Sequence, residues 1–364
     1  MRWGPRLGGD DGGLNLTRST RFTKRRRWLA AGTLFAACMI VIASIVVAEA
    51  LRTSTAITRI AIEATPVLSF DNRDPTRVRF GELEFRGGLS LSSDYKAFGG
   101  LSALHIDADG ANFLSLSDNG SWLRGRIVYR DDRPVGIADA EMAPILGWDG
   151  KPLAAHRWFD AESLTELDGQ FYIGIERVEK IVRFDYRARG LAARGEPIKV
   201  PDDFKSFTYN KSLECLAGGL PGTPLAGTLI VVTEHSLDSA GNHRSYLLKG
   251  DEVSRFTVAR SDDYDVSDCA VLPPSDLLLL ERRLSITQGL GMRIRRIPLD
   301  ELKAGAVADG PVMIEADLGF QIDNMEGIAV HQNAAGETII TLISDDNFSV
   351  IQRNLLLQFA VVRE

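Results

Sequence analysis

Short apolar runs separated by turn residues dominate the chain beyond its first 50 residues. Residues 112–117, 171–175, 228–233 and 338–344 are apolar, β-branched or aromatic at most positions, and Gly, Pro, Asn or Asp punctuates the segments between such runs. Helical periodicity is rare, and its best example, residues 299–304, spans only one or two turns. The pattern predicts an all-β protein built from many short strands.

One short theme recurs five times in this β-rich part. It consists of a small or acidic residue, a second small residue and an aliphatic residue, and its copies begin at Gly99, Glu162, Glu214, Asp268 and Glu326, at intervals of 63, 52, 54 and 58 residues. Each copy is followed by a turn signal and a second apolar run that ends in another acid, namely Asp118, Glu176, Glu234, Glu281 and Asp345. The spacing suits two antiparallel strands joined by a turn.

A repeat of 50 to 60 residues with about four strands is typical of a propeller blade. Five units cover residues 99–347, and strand-like runs at both ends of the body, residues 67–70, 83–85 and 355–362, are left over. Terminal strands can close a propeller ring and remove exposed sheet edges. We therefore expect a β-propeller, with six blades favoured over five or seven, preceded by one N-terminal hydrophobic helix.

The N-terminal region has the features of a membrane-targeting signal. Basic residues 24–27 precede residues 28–48, which contain no charge and are long enough to cross a bilayer. The sequence predicts a cytoplasmic segment at 1–27, a transmembrane anchor or signal peptide at 28–50, and a body at 51–364. Ala48-Glu49-Ala50 would suit cleavage by signal peptidase. A twin-arginine signal or a lipoprotein based on Cys38 are weaker alternatives.

Either main interpretation puts the body outside the cytoplasm, because the arginines stay on the inner side of the membrane. We expect a periplasmic or extracellular protein, free or anchored in the inner membrane through its N-terminal segment. The body, residues 51–364, carries 34 Lys and Arg against 46 Asp and Glu, which disfavours nucleic acid as a partner. The whole chain is 45% hydrophobic, so an ordinary globular core is expected rather than disorder.

The repeated acids would converge if the first residue and the second acid of each repeat flank the inner strands of a propeller. Converging carboxylates repel one another unless they are protonated, solvated or bound to cations, and Ca²⁺ takes six to eight such oxygen ligands. The candidate metal ligands are Glu214, Glu326, Asp345, Asp346, Glu162, Asp118 and Glu281. The alternative is structural, since a loop carboxylate often accepts backbone N–H groups of the neighbouring blade.

Basic residues near the repeated acids suggest an anion-binding function. Arg177 and Arg282 each follow a second acid, and Lys211 precedes Glu214 by three residues. Arginine suits a bidentate grip on phosphate or carboxylate. These three residues are candidate contacts for a small anionic ester substrate, with surface or inter-blade salt bridges as the alternative. No sequence motif identifies a catalytic nucleophile.

Cys215 and Cys269 occupy the small position of their repeats, where Gly100, Ser163 and Gly327 stand in the others. We interpret them as small residues at a close contact. A disulfide between them is the alternative and is disfavoured, because matched positions on adjacent blades usually diverge from the axis.

Six segments, in order, resemble the phytase-like family, also described as the esterase-like activity of phytase domain. They include residues 98–104, the turn 117–120, residues 210–214 and 280–282, and the pair 323–328 and 344–348. The resemblance extends over roughly residues 80–359. It implies an exported bacterial propeller and a hydrolase of phosphate or other esters, without assigning catalytic residues.

Taken together, these features favour an extracytoplasmic, metal-dependent hydrolase of phosphomonoesters or related esters, with Ca²⁺ as the expected ion. In this hypothesis Glu214, Glu326, Asp345 and Asp346 hold the ion, while Lys211 and Arg282 bind the anionic substrate. One alternative is a non-catalytic envelope propeller that binds a ligand or a protein. Another, a sugar-lactone hydrolase or sugar-oxidising propeller, rests on fold analogy alone.

Overall fold

The computed structural model describes residues 55–285 and 288–362. In chain order its strands are β1 (Thr58–Arg59), β2 (Glu63–Val67), β3 (Arg79–Phe80), β4 (Leu83–Ser92), β5 (Leu101–Ile106), β6 (Asn112–Ser117), β7 (Ser121–Arg130), β8 (Arg133–Pro144), β9 (Ala161–Leu167), β10 (Gln170–Ile175), β11 (Lys180–Phe184), β12 (Gly195–Pro197), β13 (Cys215–Gly218), β14 (Leu229–Leu237), β15 (His243–Lys249), β16 (Glu252–Val258), β17 (Asp265–Leu272), β18 (Asp276–Ser285), β19 (Gly289–Pro298), β20 (Val307–Ala308), β21 (Val312–Asp317), β22 (Asn324–Gln332), β23 (Thr338–Asp345) and β24 (Asn354–Val361).

Helical structure in the described residues is confined to short turns in the connections. One α-helical turn, α1, spans Tyr186–Arg189, and four 3-10 turns span Leu153–His156, Gly190–Ala192, Asp202–Ser206 and Leu299–Glu301. The last of these lies within residues 299–304, the best example of helical periodicity in the sequence. The prediction of an all-β protein is confirmed.

The strands form five sheets, which are the five blades of a β-propeller. Written from the innermost strand outward, the blades are β5-β6-β7-β8-β1, then β9-β10-β11-β12, then β13-β14-β15-β16-β20, then β17-β18-β19-β21, and finally β22-β23-β24-β4-β2, with β3 paired to β4. Each predicted pair of repeat strands is the innermost hairpin of one blade. The propeller prediction therefore holds at the level of fold and of repeat.

The prediction of six blades was wrong, because the terminal strands complete the fifth blade instead of forming another. β24 pairs with β4 along eight positions from Asn354↔Leu91 to Val361↔Leu83, and β2 then pairs with the outer edge of β4. Without the N-terminal strands β2 and β4, the fifth blade would consist only of β22, β23 and the C-terminal strand β24. The N-terminal and C-terminal strands thus close the ring, as expected, but within a blade already counted.

The five inner strands contact one another around the ring, β5 with β9, β9 with β13, β13 with β17, β17 with β22 and β22 with β5. Buried serine hydroxyls connect neighbouring blades, and Ser102 Oγ donates to Ala161 O at 2.5 Å while Ser163 Oγ donates to Leu213 O at 2.5 Å. At Gly327 a Cβ would lie 2.9 Å from the Ala103 carbonyl carbon, so only glycine fits where the ring closes. Small residues at the repeat position thus permit close packing.

Cys215 and Cys269 form a disulfide between the third and fourth blades, with their Cα atoms 5.1 Å apart. The expectation of two unpaired small residues was therefore wrong. Matched positions do not diverge here, because both cysteines lie on inner strands, β13 and β17, which approach closely next to the axis. The bond closes a chain segment with a sequence separation of 54 residues.

Apolar side chains fill the spaces between adjacent blades. Trp122 of the first blade packs edge-on against Phe184 of the second, with ring centroids 5.2 Å apart, and both are fully buried. Phe70 and Phe359 pack edge-on, with ring centroids 5.0 Å apart, in a buried cluster that also contains Met292 of the fourth blade. Burial of such residues, about 2 kcal/mol for each large side chain, holds the blades together.

The predicted segments 1–27 and 28–50, and so the anchor or signal peptide, lie outside the described residues. Within residues 55–285 and 288–362, no helix has the length and apolar character needed to cross a membrane.

Candidate functional site

Two of the repeated glutamates are the extra residues of β-bulges in the inner strands. In the second blade Gly174 pairs with Ser163 and Ile175 with Ala161, which leaves Glu162 without an opposite residue. In the fifth blade Glu326 is skipped in the same way between Met325 and Gly327. A bulge changes the direction in which a side chain points. It lets these two glutamates face the axis without displacing the rest of the strand.

The second strand of a blade delivers further acids to the same end of the ring, which we call the mouth. Asp118 and Glu176 directly follow β6 and β10, Glu234 lies near the end of β14, and Asp345 ends β23. Together with the inner-strand residues they form what we call the acidic cluster: Asp118, Glu162, Glu176, Glu214, Glu234, Glu326 and Asp345. These groups interact electrostatically across the axis.

Three glutamates of the acidic cluster lie particularly close together. Glu176, Glu214 and Glu234 are buried, and one carboxylate oxygen from each lies within 4.8 Å of the others. Glu176 Oε1 also accepts a hydrogen bond from the backbone N–H of Ser212. Three buried carboxylates at this spacing could serve as ligands of a divalent cation.

Arg282 is the cation at the centre of the acidic cluster. Its Nη1 contacts Glu326 Oε1 and donates to Asn324 Oδ1 at 2.8 Å, and its Nη2 lies 3.4 Å from Glu234 Oε1. The same Nη2 is 4.0 Å from Glu214 Oε1. Burial opposes its charge, but the neighbouring carboxylates, Glu326 first, raise the pKa of Arg282 above its usual range. It balances part of the negative charge.

Two other predicted cations stand at the edge of the cluster. Lys211 Nζ lies 3.3 Å from Glu234 Oε1 and is partly exposed to solvent. Arg177 forms an ion pair with Asp160 and donates to Asn210 Oδ1 at 2.7 Å. The structure thus brings all three candidate anion-binding residues to the mouth, each already in contact with at least one carboxylate.

Burial and mutual repulsion disfavour ionisation of five carboxyl groups of the acidic cluster, those of Asp118, Glu162, Glu176, Glu214 and Glu326. Burial, followed by the charges of Asp345 and Asp160, raises the pKa of Asp118 to about 8. Burial also raises the pKa of Glu326 to about 8, although Arg282 opposes the shift, and that of Glu176 to about 7. For Glu162 and Glu214 burial and neighbouring carboxylates raise the pKa well above the usual range.

This environment fits a bound divalent cation. A nearby cation favours the ionised form of a carboxylate and so reverses the shifts that burial produces. Within the described part of the chain, the buried atom Glu326 Oε2 receives no hydrogen bond. Because all the converging side-chain acceptors are oxygens, the donor set suits a hard ion such as Ca²⁺.

Two of the candidate ligands lie outside the acidic cluster. Glu281 is fully buried within the fourth blade, where its oxygens lie 2.7 Å from both Arg293 Nε and Arg295 Nη2. Asp346 belongs to the β23–β24 loop, and its Oδ1 accepts the backbone N–H groups of Gly100 and Phe348, each at 3.0 Å. Asp346 fits the structural role that the sequence left open, acceptance of backbone N–H groups of a neighbouring blade, whereas Glu281 forms salt bridges inside its own blade.

The fourth blade differs from the others in that Arg282, and not the second acid Glu281, joins the acidic cluster. Successive strand side chains point to opposite faces. Glu281 and Arg282 are neighbours on β18, so when Arg282 faces the axis Glu281 faces the interior of the blade. The inner-strand acid of this blade, Asp268, accepts the backbone N–H of Ile328 on the fifth blade at 2.8 Å. It therefore connects two blades.

Sequence reasoning missed two polar side chains at the mouth. Asp160 pairs with Arg177, and Asn324 Nδ2 donates to Glu326 Oε1 at 2.7 Å. Each precedes a repeated glutamate by two residues, Glu162 and Glu326 respectively. The repeat does not extend to this position, where Ala97 and Val266 stand in the first and fourth blades, so no repeated signal identified either residue.

The model of the phytase-like family, "Esterase-like activity of phytase", matches residues 96–348. No curated protein matches the chain. Among solved structures, a Myxococcus xanthus glutaminyl cyclase has 11% identity and a TM-score of 0.41 over 77% of this chain and 97% of its own. A PQQ-bound aldose sugar dehydrogenase from Streptomyces coelicolor has 13% identity and a TM-score of 0.39 over 84% of this chain and 99% of its own.

Proposed function

The chain belongs to the phytase-like family, and from this premise we propose that it is a metal-dependent hydrolase of phosphomonoesters or related esters that acts outside the cytoplasm. The reaction would take place at the mouth of the propeller. There the acidic cluster would hold the ion and the adjacent basic residues would hold the anionic part of the substrate.

The close approach of Glu176, Glu214 and Glu234 is the observation that carries this proposal. These three residues would hold a Ca²⁺ ion, with Glu326, whose Oε2 receives no hydrogen bond within the described residues, as a further ligand. When bound, such an ion polarises a phosphoryl or carbonyl oxygen and makes water a better nucleophile at neutral pH. Because the pKa of Glu326 is raised to about 8, loading the site would release protons.

The basic residues supply the second half of the site. Lys211 is the most accessible of them, with 43% of its side chain exposed, and its ammonium group can turn from Glu234 toward an incoming anion. Arg282 is held in place by Asn324 and Glu326 and offers a fixed guanidinium at the axis. Fixed donors aimed at the developing charge stabilise a transition state without reorganisation.

The disulfide Cys215–Cys269 supports a location outside the cytoplasm. Structural disulfides persist in secreted and periplasmic proteins and are rare in the cytosol. The predicted signal or anchor at residues 28–50 points the same way. We therefore propose a periplasmic or extracellular body, whether or not the N-terminal segment is removed.

A second candidate function is favoured by the position of Arg282. Its guanidinium already contacts Glu326 and Glu234, so it neutralises part of the cluster without an ion. A propeller whose mouth is balanced internally would suit a non-catalytic protein of the cell envelope that binds a cationic or polar ligand.

Activity measurements on the purified full-length chain in detergent distinguish the two. 4-Nitrophenyl phosphate and 4-nitrophenyl acetate would be assayed after chelation and again with added Ca²⁺ or Mg²⁺. We expect Ca²⁺-dependent turnover that Glu214→Gln and Glu234→Gln abolish, while Glu252→Gln, on the exposed outer strand β16, retains it. Equal turnover in chelator and in Ca²⁺ would exclude metal dependence, and no turnover under any condition would favour the binding protein.

A further inference from the structure

The β23–β24 loop carries exposed apolar side chains next to the acidic cluster. It begins directly after Asp345, and the exposed fractions of Phe348, Val350 and Ile351 are 50%, 101% and 86%. Three such residues within four positions form an exposed apolar patch. Patches of this kind at the edge of a polar site mark contacts with a ligand or partner.

Phe348 is held in a defined position and is not simply a free loop side chain. Its ring lies against Gly99 and Gly100, where a Cβ on Gly100 would come within 2.5 Å of the ring. Its backbone adopts φ = 50°, a left-handed conformation that bulky residues rarely take. Asp346 Oδ1 accepts the N–H of Phe348 and of Gly100, which fixes the loop against the first blade.

The ring of Phe348 adjoins the acidic cluster directly. A Cβ on Gly100 would also lie 3.4 Å from Asp118 Oδ2, so this glycine separates the aromatic ring from a carboxylate of the cluster. A second exposed aromatic residue, Tyr209, lies near the other edge, with its ring centroid 5.9 Å from Cζ of Arg177. The mouth therefore combines a charged centre with aromatic surfaces at its rim.

We propose that Phe348 forms an apolar subsite for the leaving group, and that the substrate is an ester of an alcohol that carries an aromatic ring. This inference rests on the proposed function, because the subsite takes its meaning from the ester bond held at the acidic cluster. One face of Phe348 packs on Gly99 and Gly100, and the opposite side remains available to stack with a ring of the substrate.

The same chemistry disfavours a heavily phosphorylated ring as the substrate. An inositol ring with phosphate on every carbon offers no apolar face to Phe348. It would also bring many phosphate charges to a mouth that offers three basic residues, Arg177, Lys211 and Arg282, each already in contact with a carboxylate. An ester with a single anionic group and an aromatic alcohol meets neither obstacle.

The test compares benzyl phosphate with ethyl phosphate, since both release a simple alkoxide and they differ mainly in the aromatic ring. In the full-length protein with Ca²⁺, kcat/KM should favour benzyl phosphate, and Phe348→Ala should reduce that preference about fivefold, the range measured for one aromatic contact. Phe348→Tyr retains the ring and should retain the preference. Leu68→Ala, which removes another exposed apolar side chain on the outer side of the fifth blade, is the matched control.

Calorimetric binding of benzylphosphonate and ethylphosphonate separates failure of the inference from failure of the proposed function. These analogues are not hydrolysed, so a preference for benzylphosphonate that is lost in Phe348→Ala supports the subsite even if the protein turns over neither ester. Turnover or binding without preference, or a preference that Phe348→Ala leaves unchanged, overturns the subsite. The apolar patch would then be assigned to a macromolecular partner.

Discussion

Replacing Glu176 by glutamine should change how the stability of the ion-free protein depends on pH. Burial raises the pKa of Glu176 from 4.5 to about 7, so the folded state retains a proton that the unfolded state has lost. Stability therefore falls as the pH rises from about 4.5 and levels off above about 7. Between pH 5 and pH 8 this single group removes about 2.5 kcal/mol, at 1.36 kcal/mol for each pKa unit.

Glutamine keeps the shape of the side chain and an oxygen that can accept the N–H of Ser212, but it does not titrate in this range. Wild-type protein, Glu176→Gln and the control Glu252→Gln would be melted in chelator at pH 5 and pH 8. Relative to the other two proteins, Glu176→Gln should lose about 2.5 kcal/mol less of its free energy of unfolding between these pH values, equivalent to about 4 °C in Tm.

Calcium should stabilise the wild-type protein more than Glu176→Gln, which is the opposite of the effect expected at pH 8 in chelator. An ion bound only by the folded state raises the free energy of unfolding by mass action, by about 2.7 kcal/mol at a hundredfold excess over Kd, and so raises Tm. Glu176→Gln should gain less, because it loses one of the three carboxylates that lie within 4.8 Å of one another. An unchanged pH slope in chelator would show that Glu176 is ionised in the folded protein and would refute the electrostatic argument. No Ca²⁺-dependent rise in wild-type Tm would refute the metal site.

Three further predictions concern stability outside the acidic cluster. Cys215→Ser removes the bond to Cys269 and should lower the free energy of unfolding by about 2–4 kcal/mol in urea titrations, whereas reductant should then have no further effect. Glu281→Gln leaves two buried arginines, Arg293 and Arg295, with reduced compensation and should lower the free energy of unfolding by about 3 kcal/mol. Asp202→Asn, at the exposed ion pair with Lys205, should lower it by much less. Burial lowers the pKa of His243 to about 4. The unfolded state therefore binds more protons between about pH 4 and 6.5, and this residue lowers the free energy of unfolding as the pH falls through that range. His243→Gln should reduce this loss in urea titrations carried out across the same pH range.

The repeat in the sequence predicted the inner hairpin of every blade, because its small residue and its acids reflect packing next to the axis. The number of blades could not be predicted in this way, since β4 and β24 are strand-like by pattern but nothing local specifies that they pair with each other. Long-range pairing depends on which edges remain open when the ring closes.

The face to which a strand side chain points also limited prediction of the site. In the fourth blade Arg282 joins the acidic cluster and Glu281 does not, although Glu281 pairs with Val266, two residues before Asp268, just as Asp345 pairs with Asn324, two residues before Glu326. Counting the distance between acids cannot detect which of two neighbouring side chains faces the axis, because successive strand side chains point to opposite faces. The disulfide could likewise not be predicted, because its formation depends on the 5.1 Å separation of two Cα atoms on different blades.

The closeness of the inner strands connects the fold with the proposed chemistry. Contacts as short as the Ser163–Leu213 hydrogen bond draw the beginnings of neighbouring inner strands together, and the acids placed there must share a small volume. Arg282 compensates for only part of that charge, since Glu162 and Glu214 still have strongly raised pKa values in its presence. A fold that needed these acids only to fix its blades could satisfy each with hydrogen bonds, as Asp346 is satisfied by the backbone N–H groups of Gly100 and Phe348 and by the side-chain amide of Asn354. The remaining excess of carboxylates argues for a cation that the protein itself does not supply.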